Sequence, residues 1–207
     1  MANMEQSKAV REPQQERSVD TKNKLLDAAY RLYCDKGYYE TTTNEIAKVA
    51  GVNIGSLYSY FQDKKAILLE VVARYQASYL QTVDAINQDT ESCEQAVKVW
   101  MRRLMDDVIR AHQETRAFNR ELNLLSYSIP EIAAIMEDQH NKIRDITVAF
   151  FRRHEKKLRI KDVEAAAIVT YSLIDSVVHQ IVFEKALIDR ERIFQATVDA
   201  IYSFLMK

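Results

Sequence analysis

The chain has 207 residues, 47% of them hydrophobic and 29% charged, and its 29 Lys and Arg nearly balance 30 Asp and Glu to a formal net charge of -1. That composition belongs to a folded domain rather than a disordered chain, and no bulk charge excess draws it to a nucleic acid or a membrane surface. Three glycines and two prolines are too few for the tight turns of a sheet protein, which excludes an all-β chain and leaves an all-α fold of about nine helices.

Residues 1–19 are polar, carry Pro13 and almost no large apolar side chain, and read as a mobile arm. Leu25, Ala28, Ala29 and Leu32 recur at helical spacing and Gly37 stands where a C-cap would fall, so the first helix is expected over about 21–36. Thr42-x-x-Glu45 is a capping box, opening a short helix that should stop at Gly51. Asn53 caps a second short helix from Ile54 to about Phe61. Asp63 caps a long fourth helix whose stripe includes Leu68, Val71, Val72, Tyr75, Tyr79 and Val83 and runs to about Asn87. Further apolar faces follow at Val97 to Ala111, at Phe118, Leu122 and Leu125, from Ile132 to Phe150 after Pro130, at Val163 to Ile181, and at Ile193 to Leu205. No glycine follows Gly55, and the chain divides chemically there. The expected organisation is an arm at 1–19, a small domain of short helices at 20–66 and a larger helical body at 67–207.

Two short helices joined by a turn at Gly51, Val52 and Asn53 meet the requirements of a helix-turn-helix. Ile46, Ala47 and Ala50 should pack on Val52 and Leu57, leaving Asn53, Ile54, Gly55, Ser56 and Ser59 outward. A surface of small polar residues suits deep seating in a major groove, with Tyr58 or Tyr60 reaching a phosphate or, failing that, serving as core aromatics. The stretch LLDAAYRLYCDKGYYETTTNEIAKVAGVNIGSLYSYFQDKKAILLEVV, about a quarter of the chain, resembles the N-terminal domain of TetR/AcrR-type bacterial transcriptional regulators. The resemblance implies a homodimeric repressor that binds a palindromic operator and is released when a small molecule enters the C-terminal body. It places Thr42, Tyr58, Tyr60 and Lys64 at phosphate contacts, with Thr43 alongside, and Asn44, Ile54, Gly55 and Ser56 at or near bases. Asn53 takes the cap position where the family often has Ser, and Lys65 stands where an acidic residue often follows the lysine. Residues 20–70 hold seven Lys or Arg and seven Asp or Glu, so few ionic contacts per half-site are expected.

In the body, the last two helices carry wide apolar faces and the small residues Ala165, Ala166 and Ala167, pointing to a dimer interface within 162–205. Trp100, Leu104, Phe118, Leu122, Tyr127, Met136 and Tyr171 are candidates to line a pocket for a largely apolar or aromatic effector, with His140, Asp175 and His179 as polar anchors, although each suits a plain core as well. Glu137-x-x-His140 and Asp175-x-x-x-His179 have a spacing that can ligate metal, but hydrogen-bonded or pocket-lining histidines fit better, and no metal or cofactor is expected. The six cations from Arg152 to Lys161 read as a solvated helix end. No nucleophile-base set or phosphate-cradling loop argues for an enzyme. A helical enzyme, a metal-binding protein or a protein adaptor remain the alternatives. The N-terminus lacks a secretory apolar stretch, Cys34 and Cys93 build no disulfide framework, and Glu164, Asp175 and His179 interrupt the longest apolar run, which together read as a cytoplasmic protein with no membrane span.

Overall fold

The computed structural model describes residues 12–88, 94–184 and 188–206, and within these the chain is helical. Its α-helices are α1 (Glu12–Glu40), α2 (Thr43–Ala50), α3 (Ile54–Tyr60), α4 (Lys64–Gln88), α5 (Glu94–Glu114), α6 (Arg116–Ser126), α7 (Pro130–Arg153), α8 (Val163–Phe183) and α9 (Arg190–Leu205), with a 3-10 turn at Glu155–Lys157. The all-α expectation holds. The chain forms two compact units that meet between Arg74 and Tyr75, some residues beyond the boundary expected after residue 66.

Helix α1 starts at Glu12, so residues 12–19 of the expected arm are helical; the rest of that arm lies outside the described residues. Pro13 sits in the first turn, where its missing N–H costs nothing, and the Gln, Glu and Arg that follow are good helix formers. At the other end Gly37 leaves helical geometry at φ 83°, ψ 167°, a conformation open essentially to glycine alone, and turns the chain before Glu40. Leu25, Leu26, Ala29, Tyr33, Ile46, Leu57, Phe61, Leu68 and Val72 form the buried side of this unit.

In the second unit α8 divides its buried face between two clusters. Ala166 and Ala167 pack with Met101, Phe150, Phe151, Ile201 and Leu205. Val177, Val178, Ile181 and Val182 pack with Met105, Val108, Ile109, Phe194 and Val198. By length and composition α8 is apolar enough to cross a membrane, the one such helix among the described residues; in this fold it is a core helix with one covered and one open side. The basic run after α7 is bound into the structure: Arg152 pairs with Glu164, and Arg159 donates through Nε to the Phe204 carbonyl (3.0 Å) and through its backbone N–H to that of Leu205 (2.9 Å).

Candidate nucleic-acid interface and effector cleft

Local caps shape the helix-turn-helix. Thr42 is extended (φ -112°, ψ 154°); its hydroxyl oxygen accepts the Glu45 N–H at 3.3 Å, while Glu45 Oε2 accepts both the Thr42 hydroxyl and the Thr42 N–H at 2.9 Å. Lys36 donates to the other Glu45 oxygen at 2.7 Å. The Lys36 hydrogen bond and then those from Thr42 hold the Glu45 carboxyl down at about 2. Gly51 closes α2 in the left-handed region at φ 68°, donating its N–H to the Ala47 and Lys48 carbonyls. Asn53 Oδ1 then accepts the Ser56 N–H at 2.8 Å, and Leu57, fully buried, anchors α3 from below.

What remains outside is a small, polar surface. Asn44, Asn53, Ile54, Gly55, Tyr58 and Ser59 are exposed and Ser56 is half-buried. The hydroxyls of Thr43 and Tyr58 lie 3.1 Å apart and share a hydrogen bond in which either donates. Two hydroxyls bring two protons and the pair uses one, so one is left to donate outward.

Other candidates are committed within the fold. Ser59 donates to the Ser56 carbonyl at 2.6 Å, Thr42 to Glu45, and the Tyr60 phenol to Ser18 Oγ at 3.2 Å. Lys64 differs most from expectation. Its ammonium donates to the carbonyls of Tyr38 (3.0 Å), Tyr39 (3.3 Å) and Thr41 (2.8 Å) and lies 4.4 Å from the centre of the Tyr38 ring. All three N–H donors are thereby engaged, and partial burial lowers its pKa. The cause is Gly37: where it breaks α1, the following carbonyls lose helical partners, and the first residue of α4 supplies them.

In the second unit two adjoining pockets share Tyr79, Ile143, Tyr171 and Asp175. One, of about 70 Å³, is apolar and lined by Met101, Leu104, Val108, Phe150, Phe151, Ile174, Val178 and Leu205, with Thr170. The other, of about 150 Å³, is lined by Tyr75, Gln76, His112, Asn119, Leu122, Asn123, Met136, Gln139, His140, His179 and Phe183. Of the sequence candidates, Leu104, Leu122, Met136, His140, Tyr171, Asp175 and His179 thus come together. Phe118 does not line either pocket; it is fully buried behind Tyr75, ring centres 5.2 Å apart. Tyr127 is 92% exposed, because the buried stripe of α6 continues from Phe118, Leu122 and Leu125 to Ile129 and leaves the helix-ending Tyr127 off its line. The Trp100 side chain lies outside the described residues.

Tyr75, Gln76, Tyr79 and His112 went unread as pocket residues. Tyr75 and Tyr79 gave only a stripe on the fourth helix, and Gln76 gave no signal. His112 Nδ1 lies 2.9 Å from the Val108 carbonyl, which fixes the proton on Nδ1, and burial lowers its pKa, so the neutral ring keeps a lone pair on Nε2. Burial first, then the neighbouring phenols and Asp175, holds the Tyr79 phenol well above its usual range, and it remains protonated. Among the described residues no three His, Cys, Asp or Glu side chains converge as a metal site.

Residues 25–71 match the family described as bacterial regulatory proteins, tetR family, and residues 98–205 match the tetracyclin repressor-like C-terminal domain. A short-helix helix-turn-helix unit followed by an all-helical unit is the architecture these matches describe, and the chain belongs to the TetR family of bacterial regulators. It is similar to the probable HTH-type transcriptional regulator YttP of Bacillus subtilis (strain 168), 30% identical over 116 residues, 55% of this chain and 56% of that protein. The match therefore spans about half the length of that relative. Among solved structures, a putative TetR-family regulator from Mesorhizobium loti aligns at a TM-score of 0.77 and 18% identity over 92% of this chain and 99% of its own. SmeT, the repressor of the multidrug efflux pump SmeDEF of Stenotrophomonas maltophilia, aligns at 0.68 and 22% over 91% and 93%. These two likenesses concern the fold.

Proposed function

We propose that the chain is a sequence-specific DNA-binding transcriptional regulator, a cytoplasmic homodimeric repressor that leaves its operator when a small molecule enters the C-terminal cleft. The observation that carries this reading is the exposed face of α3, small and polar, capped by Asn53 and flanked by the Thr43–Tyr58 hydroxyl pair. Such a face admits the helix to a major groove, with Asn44, Ile54, Gly55 and Ser56 near base edges and the hydroxyl pair on a phosphate. Thr42 and Lys64 act here as positioning residues, holding the segment that presents Thr43, and Tyr60 ties α3 to α1. Repression is supported by analogy with SmeT, the repressor of a multidrug efflux pump. We assign no catalysis and no cofactor to the cleft.

Dimerisation is supported by the open side of the last two helices, where Ile168 (49% exposed), Val169 (52%) and Phe204 (36%) stand with exposed Ala165, Ala196 and Ala200. Exposed apolar side chains on helices that also expose small ones suit close helix packing against a second copy. A two-fold dimer would read half-sites about one DNA turn, roughly 34–36 Å, apart.

Selection of bound duplexes from a random pool tests the reading. Enrichment of an inverted repeat, with binding reduced about tenfold or more by Tyr58→Phe combined with Thr43→Val and the circular dichroism melt unchanged, is the expected result. No enriched sequence at moderate salt, with or without candidate effectors, overturns it.

A further inference from the structure

Three polar groups of the cleft stand without a partner among the described residues: the Thr170 hydroxyl, which can donate or accept, and two groups that only accept, Gln76 Oε1 and the Asp175 carboxylate. Gln76, which lines the larger pocket, is 94% buried by its 6% exposure, and its Oε1 has no hydrogen-bond donor. Asp175 lines both pockets and, among the described residues, its carboxylate makes no ion pair or hydrogen bond. The neutral His112 adds a lone pair at Nε2. Around these stand the rings of Tyr79, Tyr171 and Phe183. Among the described residues no Lys or Arg lines either pocket; Arg116 and Arg120 belong to a neighbouring groove that shares His179 and Phe183. A buried acceptor without a donor costs free energy until a donor arrives, a carboxylate selects positive charge, and aromatic rings favour a cation near their faces. The second pocket then decides what the cation must carry, since its walls are Leu104, Val108, Phe150, Ile174 and Leu205.

On the reading of the cleft as an effector site, we infer that its effector is an amphiphilic amine: a protonated primary or secondary nitrogen donating to Gln76 Oε1 and Asp175, with an apolar tail in the adjoining pocket. The requirement for N–H donors separates this class from quaternary ammonium compounds, which satisfy the rings and the charge but leave Gln76 unpaired. Neutral and anionic amphiphiles fail on Asp175.

Four matched probes test this by titration calorimetry on the full chain: phenethylamine, phenethyltrimethylammonium, 2-phenylethanol and 3-phenylpropanoate. Phenethylamine should bind at least about tenfold tighter than the quaternary analogue and the alcohol, and 3-phenylpropanoate weakest of all. Asp175→Asn, an exposed change that leaves the core intact, should reduce amine affinity about tenfold, and Gln76→Leu should bring the amine and its quaternary analogue to within about twofold of each other. Equal or tighter binding of the alcohol or carboxylate, indifference to Asp175→Asn with the fold intact, or no amine binding at millimolar concentration overturns the inference. Operator affinity is measured separately: amine binding that depends on Asp175 but leaves DNA affinity unchanged sustains the ligand class and overturns the regulatory role of the cleft.

Discussion

The surface around the helix-turn-helix and the lining of the cleft handle polar groups in opposite ways, while the core of the first unit buries the Tyr33 hydroxyl without a partner. In the first, the hydroxyls, carboxylates and ammonium around the helix-turn-helix are paired at short range, leaving one proton of the Thr43–Tyr58 pair to face outward. In the second, Gln76 Oε1 and Thr170 Oγ1 are buried without partners and Asp175 stands unpaired beside them. Satisfied groups fix a shape; unsatisfied buried groups hold back free energy that a ligand releases. The contrast suits one unit that must present a constant surface and another that must change state on occupancy.

The largest effect that would break this contrast is at Lys64. Lys64→Met removes three hydrogen bonds from a charged donor and leaves the Tyr39 and Thr41 carbonyls without that donor, Tyr38 keeping the Thr41 N–H, so the first unit should lose about 2–3 kcal/mol in denaturant unfolding while ligand binding to the second is unchanged. An unaltered midpoint would mean that water replaces the ammonium and the segment is not held by it. Gly51→Ala comes next. A Cβ there meets nothing within 4 Å, so the cost is the left-handed backbone alone, about 1–2 kcal/mol in the same unfolding experiment.

Gln76→Leu runs the other way and sharpens the comparison. Replacing an unpaired buried carbonyl by a methyl-bearing side chain should raise the melting temperature of the second unit, by an amount equivalent to about 1 kcal/mol, while amine binding falls. A variant less stable than the parent would show that the carbonyl contributes to the resting fold.

The smallest effect is titration of Glu45. Its folded pKa, about 2, lies below the ordinary glutamate value of 4.5, so its contribution is complete above about 4.5 and fades as pH falls towards 2. Glu45→Gln should flatten that part of the stability profile of the first unit, read by circular dichroism between pH 5 and 2, and a slope that persists in the variant assigns it to other carboxylates.

The helix-turn-helix was legible because its determinants are local. Thr42 meets Glu45, and Asn53 meets Ser56, three residues away in each case, a spacing visible in the sequence. Lys64 resisted because its partners lie 23 to 26 residues earlier and exist only once Gly37 has broken α1. The start of α1 is hidden in the sequence because Pro13 marks an arm as readily as the first turn of a helix. In the second unit helical periodicity gave faces but not their opposing partners, so Phe118 and Tyr127 were placed inward with Tyr171, whereas one is core and the other exposed. Tyr75, Gln76 and Tyr79 needed the packing of several helices to become a wall.

Lys64 also has a mechanical consequence. It is the first residue of α4, and its ammonium is fastened to the segment that leads into Thr42 and Thr43. A twist of α4 by about 20° would carry a side-chain tip at a helix's outer radius of about 6 Å through roughly 2 Å. That displacement exceeds the tolerance of hydrogen bonds that weaken beyond about 3.2 Å. The loop must therefore follow the helix or let go of it, which makes Lys64 a torsional coupling: small rotations are passed on to the Thr43–Tyr58 surface, and large ones disengage it.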